Sequence, residues 1–139
     1  MSGTEGTLAE WVEQWARAAG LVVRRDDAAV SIRVPGRAAG PTLAFVSHLD
    51  TVPAGEGWTR PPFEPVVEGD RLYGRGSGDA KGSVAAMLLA ATDLAAAAGA
   101  SRGDLLVVFG YGEETKQTTM GTAVTGGTAL WITSRRATS

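Results

Sequence analysis

The segment Leu105–Phe109 reads Leu-Leu-Val-Val-Phe, an apolar run with no polar residue interleaved. A strand with one wet face alternates apolar and polar residues, whereas a strand covered on both faces reads as a continuous hydrophobic run. This run therefore predicts a central, parallel-type strand, and the elements around it agree. Helical spacing over residues 7–19 puts Leu8, Trp11, Val12, Trp15 and Ala19 on one face and Glu10, Glu13, Gln14 and Arg17 on the other. Thr7 and Glu10 have capping-box spacing, and Gly20 suits the position just past the helix. Leu21–Arg25 and Ala29–Val34 are strand candidates on either side of a turn-like Asp26-Asp27, and Thr42–Val46 runs straight into His48. A proline- and glycine-rich loop over 53–69 must wrap something, and Arg71–Tyr73 is a short strand candidate. From Lys81 to about Ala98 the pattern is helical, with Val84, Leu88, Ala91 and Ala95 on one stripe. Met87, Leu89 and Leu94 lie off that stripe, so this helix expects burial in a larger structure. The order of elements indicates an α/β domain, although two strong helices are few to cover both faces of its sheet.

The bulk numbers narrow the function. A formal net charge of −2 gives no electrostatic reason to expect nucleic acid or an anionic membrane as partner. There is no cysteine, which rules out disulfides and thiolate zinc sites. No cationic segment followed by an apolar core opens the chain, and the alanine-rich run over 84–98 is too short to span a bilayer, so the expected setting is cytoplasmic.

Three clusters carry the chemistry. His48, the only histidine, and Asp50 stand two apart, a spacing that on a strand aims both side chains to one side. The carboxylate could then fix the tautomer of a metal-binding imidazole, or both residues could simply satisfy nearby backbone groups. Asp79 follows the turn Gly74-Arg75-Gly76-Ser77-Gly78 and precedes a helix, where aspartate also serves as an ordinary N-cap. A phosphate cradle fails in detail: Lys81 follows Ala80, leaving no Gly-x-x-x-x-Gly-Lys-[Ser/Thr], and Gly-x-Gly-x-x-Gly is missing too. Glu113-Glu114 closes the most hydrophobic strand. Adjacent acids are usually solvated surface charge, but where a buried strand opens into a cleft one could bind a metal while the other moves a proton.

Taken in order, His48-Leu-Asp-Thr-Val-Pro, Leu72-Tyr-Gly-Arg-Gly-x-x-Asp79-x-Lys-Gly and Gly112-Glu-Glu-Thr resemble the M20 family of zinc-dependent amidohydrolases and peptidases. The likeness covers about residues 8–124, includes Trp58-Thr-Arg-Pro-Pro-Phe, and leans towards the acetylornithine deacetylase and desuccinylase branch. It implies a zinc-exopeptidase-like, partial three-layer sandwich with a mostly parallel sheet. It also implies two zinc ions, with cobalt as an alternative: His48 and Glu114 as ligands of one ion each, Asp79 bridging them, Asp50 orienting the site and Glu113 as general base. The peptide bond after the bridging aspartate is often cis in that family. The implied substrate is an N-acyl amino acid or small peptide.

The chain also departs from the family pattern. Residues 115–139 contain no Asp, Glu, His or Cys, so the family's downstream acid and histidine have no counterpart. Expected consequences are an incomplete ligand set, impaired or absent activity, and an apolar sheet edge open to pairing. Residues 1–124 are expected to be the N-terminal portion of the catalytic domain and 125–139 a divergent, poorly ordered tail. That pattern suits a truncated gene product, or half of a split enzyme with a complementing chain. The contrasting reading from another class is a non-catalytic α/β remnant or interaction module.

Overall fold

A computed structural model describes residues 5–97 and 101–114. The elements are α1 (Glu5–Ala18), β1 (Val22–Arg25), β2 (Ala29–Val34), β3 (Leu43–His48), β4 (Val66–Glu68), β5 (Arg71–Tyr73), α2 (Gly82–Ala96) and β6 (Leu105–Gly110). The expected 125–139 tail lies outside the described residues.

Four strands form the main sheet in the order β1-β2-β6-β3. β6 sits inside it with all six residues buried, as its uninterrupted apolar run requires. The α/β class holds, but the sheet is mixed rather than mostly parallel: β3 and β6 run parallel, while β1–β2 and β2–β6 are antiparallel. The cause is local. Asp26 Oδ1 accepts from the main-chain N–H groups of Ala28 at 2.8 Å and Ala29 at 3.0 Å, closing a tight turn that can only return the chain antiparallel.

One main core holds the domain together. Val30, Ile32 and Val34 of β2 and Leu105, Val107 and Phe109 of β6 point to the face that also meets Ala9, Val12 and Ala16 of α1 and Val84, Leu88 and Ala91 of α2. Both described helices therefore cover the same face. The opposite face contributes a smaller buried cluster of Ala29, Leu106 and Val108.

Helix α1 differs from its expected outline at two points. It begins at Glu5, so Thr7 lies inside the first turn rather than capping it. Its buried stripe is Ala9, Val12 and Ala16, while Trp11 is 54% exposed. Small alanines let the helix approach the sheet closely, and the bulky tryptophans are left to its flank, where Trp11 and Trp15 stack. The C-terminus ends as anticipated, with Gly20 at φ 76° and Leu21 N–H donating to Ala16 O at 3.0 Å.

The 53–69 loop contains one element its sequence hides, β4, which pairs antiparallel with β5. Three residues after a proline carry too little periodicity to read as a strand. What the loop wraps is this hairpin and the turn that follows it. Arg60 lies over the Tyr73 ring at 4.5 Å and pairs with Glu68, while Arg75 lies over Trp58 at 5.1 Å and donates to Ala54 O at 2.6 Å. Among the described residues β3 pairs only with β6, and Leu43, Phe45 and Val46 remain exposed along that edge.

Phe109 is fully buried between the two helices and the sheet. Phe109→Ala should therefore cost about 3–5 kcal/mol, read as a lower urea midpoint with unchanged slope.

Candidate metal centre

His48 closes β3 opposite Gly110 of β6, and Leu49 N–H extends the ladder by donating to Gly110 O at 3.0 Å. This parallel register places the end of β3 beside the segment leading to Glu113 and Glu114. The third contributor is the turn Ser77–Lys81, whose backbone departs from helical geometry at Asp79 and Ala80. The Asp79-Ala80 bond is cis, as the resemblance implies.

Asp79 is no N-cap. Lys81 occupies the capping position of α2 without a side-chain cap bond, and Asp79 instead faces His48, with Oδ1 at 3.0 Å from Nε2. Asp50 lies just beyond the strand rather than on it, so strand alternation does not bring the two residues together. The chain turns at Leu49, and Nδ1 of His48 comes within 3.2 Å of the Asp50 main-chain oxygen and 3.4 Å of its Oδ1. A carbonyl can only accept, so Nδ1 carries the proton and donates. Nε2 then either holds a second proton or presents a lone pair towards Asp79, the form in which the two share a cation.

The Asp50 carboxylate is 2% exposed, and its Oδ2 accepts the Glu114 main-chain N–H at 2.8 Å. Its Oδ1 has no hydrogen-bond partner among the described residues. A buried charge of this kind is costly unless surrounding donors and cations compensate it. Asp50 thus ties the end of β3 to the segment after β6.

Ligand atoms of His48, Asp79 and Glu114 all lie within 4.8 Å of one another. Metal–donor distances of roughly 2.0–2.2 Å let donors this close serve one ion or be shared between two, with small side-chain adjustments. One imidazole and two carboxylates suit zinc or a similar divalent ion. Glu113 is exposed and stands outside this trio, although its charge acts on His48. The centre opens outward, because the Asp79 side chain is 78% exposed. A cavity of about 530 Å³ lies alongside, lined by Leu49, Asp50, Thr51 and Lys81 on one side and by Thr7 and Trp11 on the other.

Burial disfavours the charged form of His48, but the Asp79 hydrogen bond and the charges of Asp50, Asp79 and Glu113 outweigh it and raise the pKa. Burial holds Lys81 below the ordinary lysine range against the pull of Asp50 and Glu5. In the sequence Lys81 marks the start of a helical pattern and stands in the Asp79-x-Lys-Gly motif, but neither assigns it a role in the site. Its Nζ donates to Leu49 O at 3.2 Å, a long-range contact that no spacing rule anticipates.

A model of peptidase family M20/M25/M40 matches residues 44–134. Human carnosine dipeptidase 1 is similar in structure, with a TM-score of 0.69 and 22% identity over 88% of this chain and 28% of its own. An M20 family metallo-carboxypeptidase from Sulfolobus solfataricus gives 0.66 and 25% over 81% of this chain and 26% of its own. The dipeptidase Dug1p from Saccharomyces cerevisiae gives 0.69 and 17% over 88% and 30%, respectively. The chain therefore spans less than a third of the length of each of these structures.

Two outcomes are expected from this geometry. Asp50→Asn, which keeps shape and removes charge, should weaken zinc or cobalt binding by about 10–100-fold in a calorimetric titration. Protons compete with metal for Nε2, so affinity should rise as pH climbs through the raised His48 pKa. In the metal-free chain the sign is opposite. Stability from protonated His48 is fully present below about pH 6.5 and is lost above the folded-state value, and His48→Asn should flatten that slope in urea midpoints.

Proposed function

This chain belongs to peptidase family M20/M25/M40, and on that premise we propose that its chemistry is metal-dependent hydrolysis of amide bonds in N-acyl amino acids or small peptides. The observation that carries the reading is the convergence of His48, Asp79 and Glu114 from three separate segments on one point. The dipeptidase and carboxypeptidase names of the similar structures support the peptide side of it.

In this reading His48, through Nε2, and the carboxylates of Asp79 and Glu114 would hold the metal. Zinc, or cobalt in its place, supplies Lewis acidity towards an amide carbonyl and brings the pKa of a water ligand down to about 7. Asp50 holds the imidazole in its Nδ1–H tautomer. Glu113, free of the ligand trio and close enough for its charge to act on His48, takes a proton from the attacking water. The water oxygen bonds to the carbonyl carbon, the C–N bond breaks, and Glu113 returns the proton to the departing amine. We place this chemistry in the cytoplasm, a setting that suits a sequence without cysteine.

Ligand count sets the expected level of activity. One ion would have His48 and Asp79, the other Asp79 and Glu114, whereas catalytic zinc usually holds three protein ligands plus water. The 139-residue chain should therefore bind zinc measurably in calorimetry yet turn over N-acetyl amino acids and dipeptides slowly or not at all. Brisk turnover by the purified chain would refute the ligand count. No heat of binding at millimolar zinc would favour a non-catalytic interaction module. Glu113→Gln should leave zinc affinity unchanged and lower any measurable hydrolysis by about 10²–10⁴-fold.

A further inference from the structure

We propose that Lys81 is a positioning residue that clamps the two halves of the metal centre together, an inference that rests on the metal-site reading above. One half is the β3 end with His48 and Asp50; the other is the turn that presents Asp79. The Lys81 ammonium donates to Leu49 O, the carbonyl between His48 and Asp50, at 3.2 Å. Its own main-chain N–H donates to Gly76 O at 2.9 Å and closes the turn around Asp79. One residue thus holds both segments, from opposite ends of its own structure.

The turn is shaped to admit this side chain. Gly76 sits at φ +81°, and a Cβ there would lie 2.6 Å from Thr51 Cγ2 and 3.0 Å from Lys81 Nζ. A bare backbone is therefore needed where the turn, Thr51 and the ammonium meet. Lys81 heads α2 but makes no side-chain cap bond, so helix capping does not account for where its side chain goes. An ammonium has three N–H donors and no acceptor, which suits a site where it meets the Leu49 carbonyl.

Charge alone and positioning predict opposite signs for removing this amine. Taking a positive charge away from a cation site favours metal binding by simple Coulomb attraction. Releasing the clamp lets His48 and Asp79 drift apart and weakens binding. Displaced supporting groups typically cost about 10–100-fold in metal affinity.

The test is cobalt(II) titration of the full chain and of Lys81→Met, followed by calorimetry and by NMR of the His48 ring. Binding weakened by about 10–100-fold, with altered His48 nitrogen shifts in the metal-free protein and unchanged far-UV circular dichroism, supports the clamp. Partial recovery in Lys81→Arg, which restores a donor, supports it further. Equal or tighter cobalt binding by Lys81→Met overturns it while leaving the metal-site reading intact. Failure of the unsubstituted chain to bind cobalt removes that reading and the clamp with it. Should Lys81→Met not fold, the unsubstituted chain still decides: slow solvent exchange of the Lys81 ammonium protons is expected, and exchange as fast as that of exposed lysines overturns the clamp.

Discussion

The parallel ladder between β3 and β6 is the constraint on which the candidate centre depends. Its register sets His48 against Gly110, and the next bond, from Leu49 to Gly110, carries the pairing past the strand end. Ligands in open α/β sheets gather outside the carboxyl ends of strands, where loops from different elements meet. Here that rim receives His48 from the end of β3, Asp50 from just beyond it, and Glu113 and Glu114 from the segment after β6. A slip of one residue in this ladder would turn His48 to the other face and dismantle the site.

Around that rim the buried Asp50 carboxylate acts as the junction. The Asp50 main-chain oxygen receives the His48 imidazole, Oδ2 receives the Glu114 amide, and the Lys81 ammonium bonds the carbonyl of the preceding residue, Leu49. A carboxylate so deeply buried is tolerable only when donors and cations converge on it, so its cost becomes a source of geometric definition. The same arrangement leaves His48 Nε2 aimed at Asp79. Without a cation, the Asp79 hydrogen bond and the nearby carboxylates favour the protonated imidazole, in which Nε2 donates to Asp79.

The rest of the fold supports this rim from below. Both helices press one face of the sheet, and the hairpin of β4 and β5 with its arginine–aromatic contacts braces the loop that leads into Gly74–Gly78. The apolar edge of β3, exposed at Leu43, Phe45 and Val46, shows how little of the sheet's perimeter the described residues close.

Much of this was legible in the residues themselves. The Leu105–Phe109 run announced a buried strand, the heptad-like spacing of α1 and α2 announced helices, and the His48, Asp79 and Glu113-Glu114 clusters announced where chemistry could gather. Local periodicity and turn chemistry suffice for such features because they depend on neighbours in the chain. Strand direction, the true buried stripe of α1, the release of Asp79 from helix capping and the bond from Lys81 to Leu49 were decided only by tertiary structure. Each depends on partners distant in sequence, brought together by packing and burial, and no spacing along the chain encodes those distances.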